Sequence, residues 1–286
     1  MKRLRIEHQT AFAYQGDVSA SYNEARMLPG STDSQFVLSA SLDIEPSTSV
    51  NQYVDYFGTR VTSFDILSPH ASLTLTARSL VEVRPRPLEH ADMTWDQLRR
   101  EAARSVEVVE QLGQTSRTKP HPEVAEIARA VAAQHDQPGQ AAHAIAMAIG
   151  DAVEYVHGVT GVHSTGAEAW EARKGVCQDI AHIVLGALRE VGIPARYVSG
   201  YLHPNANAEV GVPVEGESHA WVEWFSGSWE GFDPTNNTEI GDRHVLVLQC
   251  EHAAPGLARA RQRRVLPRGV RGPRVRWARG HYERTR

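Results

Sequence analysis

Gly175-Val176-Cys177-Gln178-Asp179-Ile180-Ala181-His182-Ile183-Val184-Leu185-Gly186-Ala187-Leu188-Arg189-Glu190-Val191-Gly192-Ile193-Pro194 reads as one buried helix that opens on a cysteine. Cys177, Ile180, Ala181, Val184, Leu188 and Val191 share one helical face, and Gly192 followed by Pro194 supplies the stop. Gly175 lets the chain turn sharply into the helix and keeps bulk off the sulfur. Free N–H groups and the positive end of the macrodipole stabilise an anion at a helix start. A thiol placed there has part of what a nucleophilic thiolate needs. A cysteine in that position can equally be a small packed hydrophobe, so its partners decide the matter.

Residues of the required types follow. Three β-like runs, 195–202, 218–225 and 229–233, come after the helix, with a long loop over 203–217. His219 begins the second run and Asp233 ends the third. A hairpin turning at Ser226-Gly227 would pair Val222 with Gly231 and bring Asp233 near Ala220 or His219. In that geometry the carboxylate accepts Nδ1–H of His219, favours the imidazolium and leaves Nε2 for Cys177.

Working outward, residues 1–87 read as an antiparallel β-sandwich of short strands. Phe36-Val37-Leu38-Ser39-Ala40-Ser41-Leu42-Asp43-Ile44 carries apolar residues at its even positions, the period of a half-buried strand. Arg84-Pro85-Arg86-Pro87 reads as the exit linker. Residues 88–250 hold three helical segments, 96–109, 122–134 and 140–157, and then the core that carries Cys177. The fold class is α+β. The whole chain of 286 residues carries a net charge of −4, yet residues 251–286 hold eleven Arg, no Lys and two acids. That tail is +9, which leaves −13 for residues 1–250. Nucleic-acid or acidic-surface binding is one reading of such a tail. A disordered extension is the expected state, and nucleic acid is not expected as a partner.

Four blocks resemble the transglutaminase-like superfamily of papain-type cysteine enzymes, in particular its bacterial branch with an N-terminal β domain. They are Gly175-Val176-Cys177-Gln178-Asp179-Ile180-Ala181-His182, Gly192-Ile193-Pro194-Ala195-Arg196-Tyr197-Val198-Ser199-Gly200-Tyr201, His219-Ala220-Trp221-Val222-Glu223 and Phe232-Asp233-Pro234-Thr235. With weaker similarity through the β domain, the resemblance spans residues 1–250. It implies a nucleophile helix packed on an antiparallel β-barrel, and a triad of Cys177, His219 and Asp233 that attacks amide carbonyls through a thioester. Hydrolysis would make the protein a peptidase or amidase acting on peptide or protein amides. Transfer to an amine would make it a transglutaminase, and a silent peptide-binding module is the alternative of another class.

Three features lean towards hydrolysis. The stretch 155–165 lacks the tryptophan that cross-linking members use for the oxyanion, no acid-dense loop resembles a calcium site, and those enzymes' C-terminal β domains have no counterpart in the sequence. The second oxyanion donor is therefore open, with Gln178 and Tyr155 as candidates, and Trp221 reads either as a substrate contact or as a core aromatic. His182, about 140° around the helix from Cys177, and Asp179 are expected to pack or hydrogen-bond beside the site. His143 and His157 read as ordinary helix histidines.

Composition narrows the remaining classes. Two cysteines, Cys177 and Cys250, exclude a disulfide scaffold and a four-cysteine zinc site, although one disulfide between them would make an inert domain. There is no phosphate-cradling Gly-rich loop and no His-Glu-x-x-His helix, so no cofactor and no metal are expected. No apolar run approaches the ~18 residues of a membrane span, and the start lacks an export segment. The expected location is the cytoplasm, with no membrane partner.

Overall fold

The computed structural model describes residues 1–84, 93–161 and 163–250, together with the backbone of 258–262 and 267–279. Six strands open the chain: β1 (Lys2–Val18), β2 (Ser21–Ala25), β3 (Gln35–Glu45), β4 (Val50–Val54), β5 (Arg60–Ile66) and β6 (His70–Val83). β6 lies between β1 and β3 in one antiparallel sheet, and β5 lies between β2 and β4 in a second. Tyr14, Val18, Ile44, Leu73, Leu75 and Ala77 of the first sheet meet Ala25, Phe64 and Ile66 of the second in a sandwich core.

The alternation read over 36–44 is only half followed. Val37 pairs with Val81 and Ser39 with Leu80, so Leu38 is an extra residue on its strand. That bulge reverses the phase: Ala40, Leu42 and Ile44 point inward, while Phe36 and Leu38 lie exposed.

The helical part follows as α1 (Trp95–Ala102), α2 (Val106–Val109), α3 (Pro122–Ala132), α4 (Pro138–Ala152) and α5 (Gly166–Ala172). The first expected helix is thus two, parted at Ser105, whose extended backbone (φ −112°, ψ 118°) starts a new helix. The third stops at Ala152, beyond which the chain forms a short strand. That strand, β7 (Glu154–Tyr155), pairs in parallel with β8 (Lys174–Gly175), which leads directly into α6 (Cys177–Glu190).

Strands β9 (Ala195–Leu202), β10 (Val214–Gly216), β11 (Ser218–Phe225), β12 (Trp229–Asp233), β13 (Thr238–Glu239) and β14 (His244–Cys250) complete the core. All but β10 form an antiparallel sheet in the order β13-β12-β11-β9-β14. Ile180, Val184 and Leu188 of α6 pack on Ala220, Val222, Trp224 and Phe232 of that sheet.

The expected disordered tail is corrected over two stretches. β15 (Ala258–Gln262) pairs with β2, and β16 (Pro267–Arg279) lies antiparallel between β1 and β10. The free edge of the 17-residue β1 is a long row of backbone donors and acceptors that needs covering. Arg274-Val275-Arg276-Trp277 has the period-2 pattern of a strand that can cover it. The expected domain boundary at 87/88 and the rest of 251–286 lie outside the described residues. No helix among the described residues is long and apolar enough to cross a membrane.

Candidate active site

Cys177 is the first residue of α6 and is half-buried. Two residues on, the fully buried Asp179 folds back: its Oδ2 accepts the backbone N–H of Val176 at 2.9 Å and the Thr160 hydroxyl at 2.5 Å. The carboxylate thus fixes the entry to the helix. Burial raises its pKa, against the lowering effect of those two donors. The pairing of Tyr155 with Gly175 sets the Tyr155 strand beside the same entry, and Val156 N–H donates to the Gly175 carbonyl at 2.9 Å.

His219 and Asp233 come together through a register that differs from the expected one. Phe225 pairs with Trp229, so the turn holds three residues, Ser226-Gly227-Ser228, with Gly227 at φ +109°. Val222 therefore faces Phe232, and Gly231 faces Glu223. Because side chains alternate, a two-residue turn would have put Asp233 on the face of Ala220 and Val222. The extra residue puts it on the face of His219, as a diagonal neighbour.

His219 Nε2 lies 2.7 Å from Asp233 Oδ2. The expected assignment of ring nitrogens is thereby reversed: Nε2 serves the carboxylate and Nδ1 is left for the sulfur. A diagonal partner on the adjoining strand is reached by the outer edge of the ring, which carries Nε2. Asp233 is fully buried and heavily bonded. Its Oδ1 accepts the N–H groups of Thr235 (3.1 Å) and Asn236 (3.2 Å), and its Oδ2 also accepts Asn236 Nδ2–H at 2.8 Å. Burial alone would raise this carboxyl, but hydrogen bonds from His219 and His244 hold it far below the usual carboxylate range. For His219 burial works against the charged ring, and hydrogen bonds to Asp233 and to the Cys177 sulfur outweigh it, pushing the pKa up to about 10.

The other expected residues are distributed unequally. Tyr155 stays at the site: burial pushes its phenol up to about 12, aided by its electrostatic interaction with Cys177, Glu217 and Asp233. Gln178 is half-buried as the second residue of α6. Trp221 is corrected. At 1% exposure it is a core side chain, with its ring edge-on to His244 at 5.4 Å, because its alternation turns it inward beside His219. His182 packs fully buried against the Tyr197 ring, as a structural residue would. His143 leans on Phe232, and His157 sits 3.9 Å from Glu217 in an exposed pair. Both cysteines are free thiols, so the disulfide alternative falls. No cluster of His, Cys, Asp and Glu suited to a metal ion occurs among the described residues.

Three side chains escaped the sequence reading: Asn236, Thr160 and His244. Asn236 had a signal, since an Asp followed three residues later by Asn across a proline is an Asx-type turn. His244 had none, because it comes from another strand, 11 positions past Asp233.

The profile of the bacterial transglutaminase-like N-terminal region matches residues 4–82, and that of the transglutaminase-like superfamily matches residues 125–234. An uncharacterized protein of Mycobacterium leprae (strain TN) is 41% identical over 251 residues, covering 86% of this chain and 88% of that one. The chain belongs to the transglutaminase-like superfamily. Another uncharacterized relative, from Mycobacterium tuberculosis (strain ATCC 25618 / H37Rv), is 29% identical over 267 residues, 86% of this chain and 82% of its own. Among solved structures, a "putative cysteine protease" from Cytophaga hutchinsonii superposes with a TM-score of 0.77 over 99% of this chain and 92% of that one, at 19% identity. The mixed α+β architecture, sandwich first and core second, is thus one already seen within the transglutaminase-like fold.

Proposed function

We propose that this member of the transglutaminase-like superfamily is a cysteine peptidase or amidase that cleaves peptide or protein amides through a thioester on Cys177. The observation that carries the reading is the 2.7 Å contact between His219 and a fully buried Asp233, on a strand whose imidazole meets the sulfur at the start of α6.

His219 gives up its proton only as pH nears about 10, so at neutral pH the ring is an imidazolium, which supplies the positive charge a thiolate needs. The sulfur attacks the carbonyl carbon and forms the C–S bond. The first-turn N–H groups of Cys177 and Gln178 precede the intrahelical ladder and can hold the oxyanion. The Tyr155 phenol, protonated below about pH 12, is the second donor. As the C–N bond breaks, His219 passes its proton to the leaving amine. Neutral His219 then takes a proton from water, the hydroxyl adds to the thioester, and the C–S bond breaks to return the thiolate–imidazolium pair. Asp233 orients the ring throughout. Two free thiols suit the cytoplasm, where we place the reaction.

A thiol-reactive probe at neutral pH should label Cys177 faster than Cys250, and His219→Ala should slow that labelling. Peptide libraries read by mass spectrometry should show cleavage with and without added amine, and Cys177→Ala should lower turnover by about 10⁴-fold or more. Equal, slow labelling of both thiols overturns the reading in favour of a peptide-binding module. Products found only as amine adducts overturn hydrolysis in favour of transglutamination.

A further inference from the structure

Asp233 serves two imidazoles. Besides His219, the ring of His244 approaches the same oxygen, with Nε2 at 3.4 Å from Oδ2. The other nitrogen of His244 is committed, since the backbone N–H of Gly241 donates to Nδ1 at 3.2 Å. A ring that accepts at Nδ1 and is neutral must carry its proton at Nε2. His244 thus donates to Asp233. The tautomer is fixed by a main-chain group in the turn leading into β14, and the ring is held edge-on against Trp221.

We propose that His244 is a positioning residue for the cysteine chemistry: its Nε2–H orients Asp233 and withdraws part of the carboxylate's charge from His219. The inference rests on the reading of Cys177, His219 and Asp233 given above. Without His244 the carboxylate, which already shares Oδ2 with the Asn236 amide and Oδ1 with two backbone N–H groups, would place more of its basicity on His219 and hold that ring's proton more firmly against transfer to a leaving amine. The His244 Nε2–H is a further neutral donor on Oδ2, beside Asn236 Nδ2–H, and competes for that basicity. The role requires His244 to stay uncharged beside a cation, and burial does lower its pKa, opposed by Asp233 and assisted by the charges of His219 and Arg243.

The charged and titratable groups that act on this pair are Cys177 from α6, Asp233 from the end of β12 and Arg243 ahead of β14, with the Asn236 amide from the turn after β12, while Tyr155 of β7 senses Cys177, Asp233 and Glu217. Arg243 is occupied with the carbonyl of His203 at 3.1 Å, which keeps its guanidinium turned to the backbone.

The test has two arms. In the wild-type protein, histidine ¹⁵N NMR across pH 6–9 should show His244 as a neutral ring protonated at Nε2; an Nδ1–H tautomer, or a ring that takes up a proton in that range, overturns the proposal. This arm needs neither substrate nor turnover, so it stands apart from the peptidase reading. The second arm is His244→Phe, which keeps a ring against Trp221 but deletes the donor, beside His244→Gln, which keeps an N–H. His244→Phe should move the alkaline limb of the Cys177 alkylation profile up by roughly 0.5 pH unit and cut kcat about 10-fold at unchanged KM. His244→Gln should return both most of the way. An unmoved limb with kcat within about twofold of wild type overturns the proposal, as does an equal loss in both variants with the limb unmoved, which would mark His244 as packing alone.

Discussion

Gly175 owes its identity to a residue four positions further on. A Cβ built there would lie 2.8 Å from Asp179 Cβ and 3.0 Å from its Oδ2, closer than side-chain carbons tolerate. Asp179 cannot yield without releasing the Val176 N–H and the Thr160 hydroxyl, which together hold the chain as it enters α6. Gly175→Ala should therefore cost about 1–3 kcal/mol of stability and displace Cys177, lowering its alkylation rate relative to Cys250. An unchanged melting temperature together with an unchanged rate would count against this account. At this scale the residues of the site were legible: a cysteine at a helix start, a histidine at a strand start and an aspartate at a strand end are local patterns. Which nitrogen of His219 meets the acid was not legible, because it depends on which residues of two strands lie across from each other. The choice between the two readings of Trp221 was illegible for a similar reason. A tryptophan two positions from the catalytic histidine candidate can line a groove or fill a core, and only the third strand, with His244, decides.

The β11–β12 hairpin shows how an element sets a site. Three turn residues place Phe232 opposite Val222 in the core beneath α6 and Asp233 on the face of His219. Deleting Ser228 would leave the two-residue turn that the sequence suggested, and every side chain of β12 would change faces. Phe232 would leave the core at the same step as Asp233 leaves His219. The deletion should abolish activity and lower stability by more than about 4 kcal/mol, in the range of core disruption. Gly227→Ala asks for something different. At φ +109° an alanine strains the turn by about 1–2 kcal/mol, but the residue count and hence the register persist. That variant should melt earlier and yet retain turnover at low temperature; complete loss of turnover in a folded Gly227→Ala protein would mean the register is held by the turn's shape and not its length. The bulge at Leu38 is the same lesson on β3. Period-2 alternation was visible in sequence, but its phase was not, since one unpaired residue inverts it.

The two halves of the molecule are joined because the first sheet outgrows its sandwich. β1 and β6 run past the second sheet, and on the same face that further along fills the sandwich they present Leu4, Ile6, Val81 and Val83 to Tyr201, Val245 and Val247 of the core. At the crossover sits the fully buried His8. The Tyr201 hydroxyl donates to the Met27 carbonyl at 2.9 Å, so its oxygen accepts from His8 Nδ1–H, also at 2.9 Å, and His8 Nε2 accepts from the Thr10 hydroxyl at 3.2 Å. The ring is satisfied only when neutral. Burial accordingly lowers its pKa to about 4. Between that value and the ordinary 6.5 the unfolded chain binds a proton that the folded one refuses. The stability attached to His8 is therefore complete above about pH 6.5 and declines as pH falls towards 4, by about 3 kcal/mol in all. Urea unfolding of wild type and His8→Gln at pH 7.5, 6 and 5 should give a stability difference that shrinks at each step, because glutamine has no proton to gain. Other acidic groups titrate in both proteins and cancel in the difference. The consequence extends to the site, since Tyr201 pairs with Ser218, the residue before His219. If the difference stays constant down to pH 5, His8 takes up its proton equally in the folded and unfolded chains, and the joint between the halves is not the element that acid loosens first.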